Sequence, residues 1–367
     1  MLWIPGPTEV RPELLAECAR PMIGHRSGAM VATIERLDPG LRMAFGLLAD
    51  STSHVAVHSA SATAMMEASL IGAGQRILCL VNGAFSSRWS KIAETLGKEV
   101  VRIEVEWGQV ADADEIARVA REQGPFDALT VVSSETSTGT ATSLSMVADA
   151  LKDSPDTMIL ADLVSWIAGA PVEFDKNRLG FAFAGVQKAF ALPPGVAVVC
   201  ASDAFMQRAR QQTNRGFYLD PVTFIEGHAA RKTPATPCIS LYYALARQLE
   251  DISGTSDGAT PTEVQQRANW QARFDKHLAM QTRTFEWMES RGLELFPSRE
   301  NGSPTVSCIR AGSTDVPALI SGLTERGLTL GNGYGKLKNE TFRIGHMGDH
   351  TLDGLNELLS AADEVLG

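Results

Sequence analysis

Lys188 stands between two apolar runs, Leu179-Gly180-Phe181-Ala182-Phe183-Ala184 before it and Gly195 to Ala201 after the turn Pro193-Pro194-Gly195. Both runs read as short buried strands, which directs the amine inward. Burial disfavours the ammonium form and lowers the pKa of a lysine, the condition for a Schiff-base or otherwise nucleophilic amine. The competing reading is a solvated loop lysine between two strands. Asp162 lies 26 residues earlier, at the end of the apolar run Thr157 to Ala161. A lysine that forms an imine needs an electron-withdrawing carbonyl partner, and a buried carboxylate keeps the ring nitrogen of such a partner protonated. The pair therefore points to pyridoxal phosphate chemistry.

The elements that position these two residues follow from the order of the chain. From His54 onward, short apolar runs alternate with helical segments. Strands are expected at His54–His58, Arg76–Val81, Glu99–Val105, Leu129–Ser133 and Thr157–Asp162, with helices after Ala62, after Phe85, over Asp112–Gln123 and over Met146–Lys152. This succession predicts an α/β fold with a mainly parallel sheet, whose ligands gather beyond the carboxyl ends of the strands. Ser61, Phe85, Thr136, Asp162 and Lys188 all fall at such ends. Ser61-Ala62-Thr63 opens a helix, where free N–H groups make either an anion cradle or an ordinary cap. Gly24-His25-Arg26-Ser27 offers a bidentate anion contact through Arg26 or a surface ion pair. The stretch Gln211 to Ala235 reads as irregular, and a long helical tract follows it with a break at Ser253–Gly258. Strands at Thr305–Ile309 and Thr341–Ile344, with helices at Val316–Arg326 and Thr351–Leu366, form a small α+β unit. The expected division is an N-terminal arm over 1–20, a large cofactor-binding domain over 21–255 and a small C-terminal domain over 256–367.

Composition bounds the partners. A chain of 367 residues with 33 Lys+Arg against 43 Asp+Glu has a formal net charge of −10. That balance argues against nucleic acid or an anionic membrane as a partner. Five scattered cysteines without a CxxC pair read as reduced thiols with no metal site and no disulfide framework. No run reaches the ~18 apolar residues of a membrane span, and the first residues lack a leader pattern, so a cytoplasmic protein is expected.

The motifs Pro5-Gly-Pro-Thr, Gly24-His-Arg-Ser, Asn82-Gly-Ala-Phe, Glu135-Thr-Ser-Thr-Gly, Ala161-Asp-Leu-Val-Ser, Gln187-Lys, Thr233-Pro-Ala-Thr and Phe342-Arg-Ile-Gly-His-Met-Gly occur in one order from residue 5 to residue 348. In that order the chain resembles the class V aminotransferases of the fold-type I pyridoxal phosphate enzymes, nearest the alanine/serine–glyoxylate group. The resemblance implies that Lys188 is the Schiff-base lysine and proton shuttle, and that Asp162 pairs with the pyridine nitrogen. It implies that Phe85 and Val164 flank the ring, that Thr136 lies near the ring hydroxyl, and that Ser61, Ala62, Thr63 and Gln187 hold the phosphate. Thr233 would come from a partner subunit, making the protein a homodimer with shared active sites. Arg343 would take the substrate α-carboxylate beneath the Gly6 loop, with His25 and Arg26 as further substrate contacts. The implied reaction moves an amino group from alanine or serine to glyoxylate or pyruvate. Phosphoserine aminotransferase is the alternative, supported by the positive potential of His25, Arg26 and His346, and a cysteine desulfurase-type lyase is a further one. Two departures stand out: Ala60 and Ala62 replace the glycines usual in the phosphate loop, and Ala230 stands where some relatives have tyrosine.

Overall fold

The computed structural model describes residues 1–367. Its strands are β1 (Leu2–Trp3), β2 (His54–His58), β3 (Arg76–Val81), β4 (Glu99–Glu104), β5 (Ala128–Val132), β6 (Ser134–Glu135), β7 (Thr140–Ala141), β8 (Met158–Asp162), β9 (Leu179–Gly185), β10 (Ala197–Ala201), β11 (Ser307–Arg310), β12 (Thr329–Asn332) and β13 (Thr341–Ile344). Helices α1 (Pro12–Cys18), α2 (Gly28–Ala44), α3 (Ala62–Ala73), α4 (Ala84–Thr95), α5 (Ala113–Gln123) and α6 (Leu144–Ala150) precede the lysine. Helices α7 (Asp203–Gln211), α8 (Pro221–Ala229), α9 (Ile239–Ser253), α10 (Glu263–Ser290), α11 (Val316–Glu325) and α12 (Leu352–Leu366) follow it.

A seven-stranded sheet runs in the order β2-β10-β9-β8-β5-β3-β4. Only β10 opposes the others, pairing antiparallel with both β2 and β9. The mainly parallel α/β sheet expected from the sequence is present. Every residue of β5, β9 and β10 is buried, because helices cover both faces of the sheet. Alternation assigns the faces: Leu78 and Leu80 join one hydrophobic cluster, while Ile77, Cys79 and Val81 join the opposite one. The carboxyl ends of β2, β3, β5, β8 and β9 consequently open on a single edge.

A second, four-stranded sheet has the order β1-β12-β13-β11 and carries its own cluster around Trp287, Phe342 and Leu358. Residues 1–20, expected as an arm, thus include an edge strand of this sheet, since Leu2 and Trp3 pair in parallel with Thr329 and Leu330. The irregular reading of Gln211 to Ala235 is corrected by α8. Asp220 caps that helix by accepting from Val222 N at 3.0 Å, and Pro221 occupies its first turn. The break within the helical tract is a short 3₁₀ turn at Ser256–Gly258. The long helix beyond it, α10, packs against α9, α12 and β11.

Candidate active site

β9 delivers Lys188 three residues past its last strand residue, Gly185. The side chain is buried and its Nζ donates to the carbonyl of Pro5. Thr8 N also donates to Gln187 O at 3.1 Å, so the Pro5–Thr8 segment lies across the lysine loop. Gly6 has φ +92°, and a Cβ there would stand 2.4 Å from Lys188 Cδ, so both backbone and space require glycine. Burial, reinforced by the Arg343 charge, lowers the Lys188 pKa to about 8, with Asp162 opposing the shift.

Asp162 ends β8 and its Oδ1 accepts from Val164 N at 2.8 Å. Burial pushes its pKa up to about 7; the Val164 amide and Lys188 pull it down, while Glu135 adds to the rise. Ser133 holds the strand end, its N and Oγ donating to Asp162 O at 3.0 and 2.8 Å.

Gly6, Ser61, Ala62, Thr63, Phe85, Thr136, Asp162, Val164, Gln187 and Lys188 all line one cavity of about 260 Å³. Ser61 is the N-cap of the twelve-residue α3 yet caps no backbone amide with its side chain; Ala64 N donates to Ser61 O at 3.1 Å, and the Ala62 and Thr63 N–H groups are available to an anion. Neither Ala60 nor Ala62 has a positive φ, so alanine occupies these positions of the loop without backbone strain. The Thr136 hydroxyl lies 2.6 Å from Ser165 Oγ, and the Thr136 carbonyl accepts from Arg343 Nη1 at 3.0 Å. Arg343 thus adjoins the cavity from β13, its Nε donating to Asn332 O at 2.8 Å.

His25, Arg26 and Thr233 do not line this cavity; they meet in a second one of about 330 Å³, together with Ser27, Ala230, Arg231 and Lys232. Ser27 Oγ and Thr233 Oγ1 are buried there without a hydrogen-bond partner. Arg231 is held by Asp38 at 2.5 Å, which leaves Lys232 as the cation beside Ala230. His346 supplies no positive potential: it is buried, contacts Ser307 Oγ at 2.9 Å, and burial lowers its pKa to about 3. The lyase alternative finds no thiol, because no cysteine lines the cavity and burial raises Cys308 to about 11.

Three contributors escaped the sequence reading. Glu135 is buried, and its carboxylate accepts from Phe85 N, Ser86 N, Ser86 Oγ, Ser137 N and Ser137 Oγ at 2.5 to 3.3 Å, fixing the start of α4 and thereby Phe85. Arg88 lines the cavity from α4, and Tyr334 places its ring 5.6 Å from that of Phe85. The signal that could have found Arg88 is its place three residues after Phe85, which returns it to the same helix face.

Lys188, Asp162 and the N-terminus of α3 thus share one cavity at the strand ends, with Arg343 adjoining it. Residues 51–273 match the family model for class-V aminotransferases, and the chain belongs to that family. It is 30% identical over 354 residues to the soluble hydrogenase small subunit of a Synechococcus species, covering 95% of this chain and 88% of that protein. It is 28% identical over 371 residues to serine–glyoxylate aminotransferase of Methylorubrum extorquens, covering 97% and 87% respectively. The structure of alanine–glyoxylate aminotransferase from Nostoc superposes with a TM-score of 0.88 at 26% identity, covering 100% of this chain and 95% of that one. The fold is accordingly fold type I and the protein is an aminotransferase. No helix is long and apolar enough to cross a membrane.

Proposed function

We propose that the chain is a pyridoxal phosphate-dependent transaminase that moves an amino group from a small amino acid, such as alanine or serine, to a small 2-oxo acid, such as glyoxylate or pyruvate. The observation that carries this reading is the burial of Lys188 and Asp162 in one cavity whose far wall is the uncapped N-terminus of α3. When bound, pyridoxal phosphate supplies a carbonyl that captures amines and a ring that delocalises the electron pair left by a departing Cα proton.

The residues present fit that group. Ser61, Ala62 and Thr63, with Gln187, are assigned to the phosphate, and Asp162 to the pyridine nitrogen. Asp162 ionises readily beside a cationic nitrogen, because the burial that raises its pKa is offset by an adjacent positive charge. Phe85 and Val164 are assigned to the two ring faces, and Thr136 to the ring hydroxyl. Lys188 moves the substrate Cα proton through Nζ, and its pKa near 8 suits both taking and returning a proton. Arg343 orients the α-carboxylate, and the Gly6 loop excludes water from above Lys188.

Thr233, His25 and Arg26 are assigned to the neighbouring site across a homodimer. The unpartnered Thr233 Oγ1 and Ser27 Oγ in their cavity support this, since buried hydroxyls without partners await one.

The test follows the visible absorbance of the reconstituted protein as amino acids are added without an acceptor. Loss of the lysine-bound cofactor band, restored by glyoxylate or pyruvate, is the expected outcome. Lys188→Ala is expected to lack that band and all turnover; full activity in that variant would sink the assignment.

A further inference from the structure

The transaminase reading leaves one cation in the cavity without work. Arg88 lines it from α4, with its guanidinium carbon 5.0 Å from the centroid of the Phe85 ring. Its one hydrogen bond, Nη2 to Tyr334 Oη, is long at 3.4 Å, and it forms no ion pair. Elsewhere in the same region arginines are neutralised, as Arg102 is by Glu94 at 2.7 Å. Arg343 is similarly unpaired. Its Nε and Nη1 are spent on carbonyls, its Nη2 donates to no protein atom, and its guanidinium carbon lies 5.6 Å from the same Tyr334 ring. The carboxylate whose charge acts on Arg343, Glu135, is buried and already accepts from five donors of Phe85, Ser86 and Ser137.

Two guanidinium groups touch one tyrosine and neither is in an ion pair, although the Arg88 charge reaches Asp162, and a partly desolvated cation without a paired carboxylate favours the entry of an anion beside each. One anion is the α-carboxylate that any amino acid brings. The second must come from the substrate side chain, because the cofactor phosphate is assigned to the start of α3. We propose that the preferred amino donor carries a second acidic group, with Arg343 taking the α-carboxylate and Arg88, aided by Tyr334 Oη, taking the side-chain acid. The proposal rests on the transaminase reading and ranks an amino dicarboxylate such as aspartate or glutamate ahead of alanine or serine among its small amino donors. A carboxylate suits Arg88 and Tyr334 better than a phosphate ester: one guanidinium fork and one hydroxyl satisfy two oxygens, whereas a phosphate dianion presents three.

The test uses the reconstituted enzyme and the half-reaction with aspartate, glutamate, phosphoserine, alanine and serine. Wild type is expected to favour an acidic donor over alanine by at least about tenfold in kcat/KM, and Arg88→Gln to lower that ratio by about 10- to 100-fold, the worth of a charge-assisted hydrogen bond. Arg88→Lys, which keeps the charge and loses the fork, is expected to fall between them. Calorimetric binding of maleate, a dicarboxylate without an amine, is expected to weaken by a similar factor in Arg88→Gln. Alanine or serine outrunning the acidic donors, or an unchanged ratio in Arg88→Gln, overturns the proposal, and a preference for phosphoserine alone overturns its carboxylate assignment. If no amino acid discharges the cofactor, the transaminase reading fails instead, and the maleate difference still decides what Arg88 binds.

Discussion

Lys188 spends free energy to be where it is, and the cost has a measurable pH dependence. Its folded pKa of about 8 lies below the ordinary 10.5, so the unfolded chain binds more protons across that window. Its contribution to stability is complete above 10.5 and is lost as pH falls through 8. In the cofactor-free protein, Lys188→Met is expected to be more stable than wild type at pH 7 by up to about 3 kcal/mol, the gap closing between pH 8 and 10.5. Denaturant melts across pH decide it; a pH-independent gap refutes the depressed amine. The same pKa governs loading, because only the neutral amine attacks a carbonyl. Incorporation of pyridoxal phosphate into the cofactor-free protein is expected to accelerate with rising pH and level off near pH 8 in stopped-flow absorbance. A plateau reached below pH 7 argues for a different nucleophile.

At the level of elements, the site depends on how two helices begin. α3 starts without a side-chain cap, only its Ala64 amide being turned back to Ser61 O, whereas Glu135 takes the Phe85 and Ser86 amides at the start of α4. Trp89 Nε1 ties the two by donating to Met66 O at 3.0 Å, so the phosphate end and Phe85 move together. Gly83 makes the Glu135 contact possible, since a Cβ there would stand 2.3 Å from Glu135 Cγ. Glu135→Gln replaces one acceptor oxygen with a donor facing other donors, and is expected to cost about 2 to 3 kcal/mol of stability. It is also expected to weaken cofactor binding, read by equilibrium dialysis, while the pH dependence of loading stays with Lys188. Unchanged affinity would mean that Phe85 does not depend on this start. The strands around these helices were legible in the sequence because doubly covered strands are continuous apolar runs such as Phe181 to Ala184. Lys188 and Asp162 were legible because their types and strand-end positions name a chemistry. Arg88 was not, because an arginine on a helix ordinarily reads as solvated. Its partner Tyr334 lies 246 residues away, and no local pattern connects them. α8 escaped although Asp220-Pro221 is a sound helix start, because Gly227 and the polar residues after it weaken the apolar period.

Across the whole molecule, the two sheets are joined to the lysine loop through Asp349. This carboxylate follows β13 and accepts from Arg273 Nη1 and Arg11 Nε, each at 3.0 Å, and from Gln248 Nε2 at 3.1 Å. Arg273 continues to Ala189 O at 2.5 Å and Ala168 O at 3.1 Å, while Gln248 reaches Phe190 O at 2.8 Å. The strand that carries Arg343 is therefore indexed to the turn that carries Lys188, which fixes the distance between the carboxylate contact and the amine. Burial alone would raise the Asp349 pKa, yet Arg273, Arg11 and Lys276 hold it below its ordinary 3.8. Stability from this group is present above pH 3.8 and disappears as pH falls through the lowered value. Asp349→Asn keeps the shape but leaves Arg273 without its counter-charge and Arg11 with Asp251 alone, and is expected to cost about 2 to 3 kcal/mol, discounted for its partial exposure. If the network sets geometry as well as stability, kcat for the amino half-reaction falls in this variant by a larger factor than cofactor affinity does. The α3 cradle lies outside the network, whereas the spacing of Arg343 to Lys188 depends on it. An equal loss in both, or stability loss with kcat intact, would assign Asp349 to folding alone.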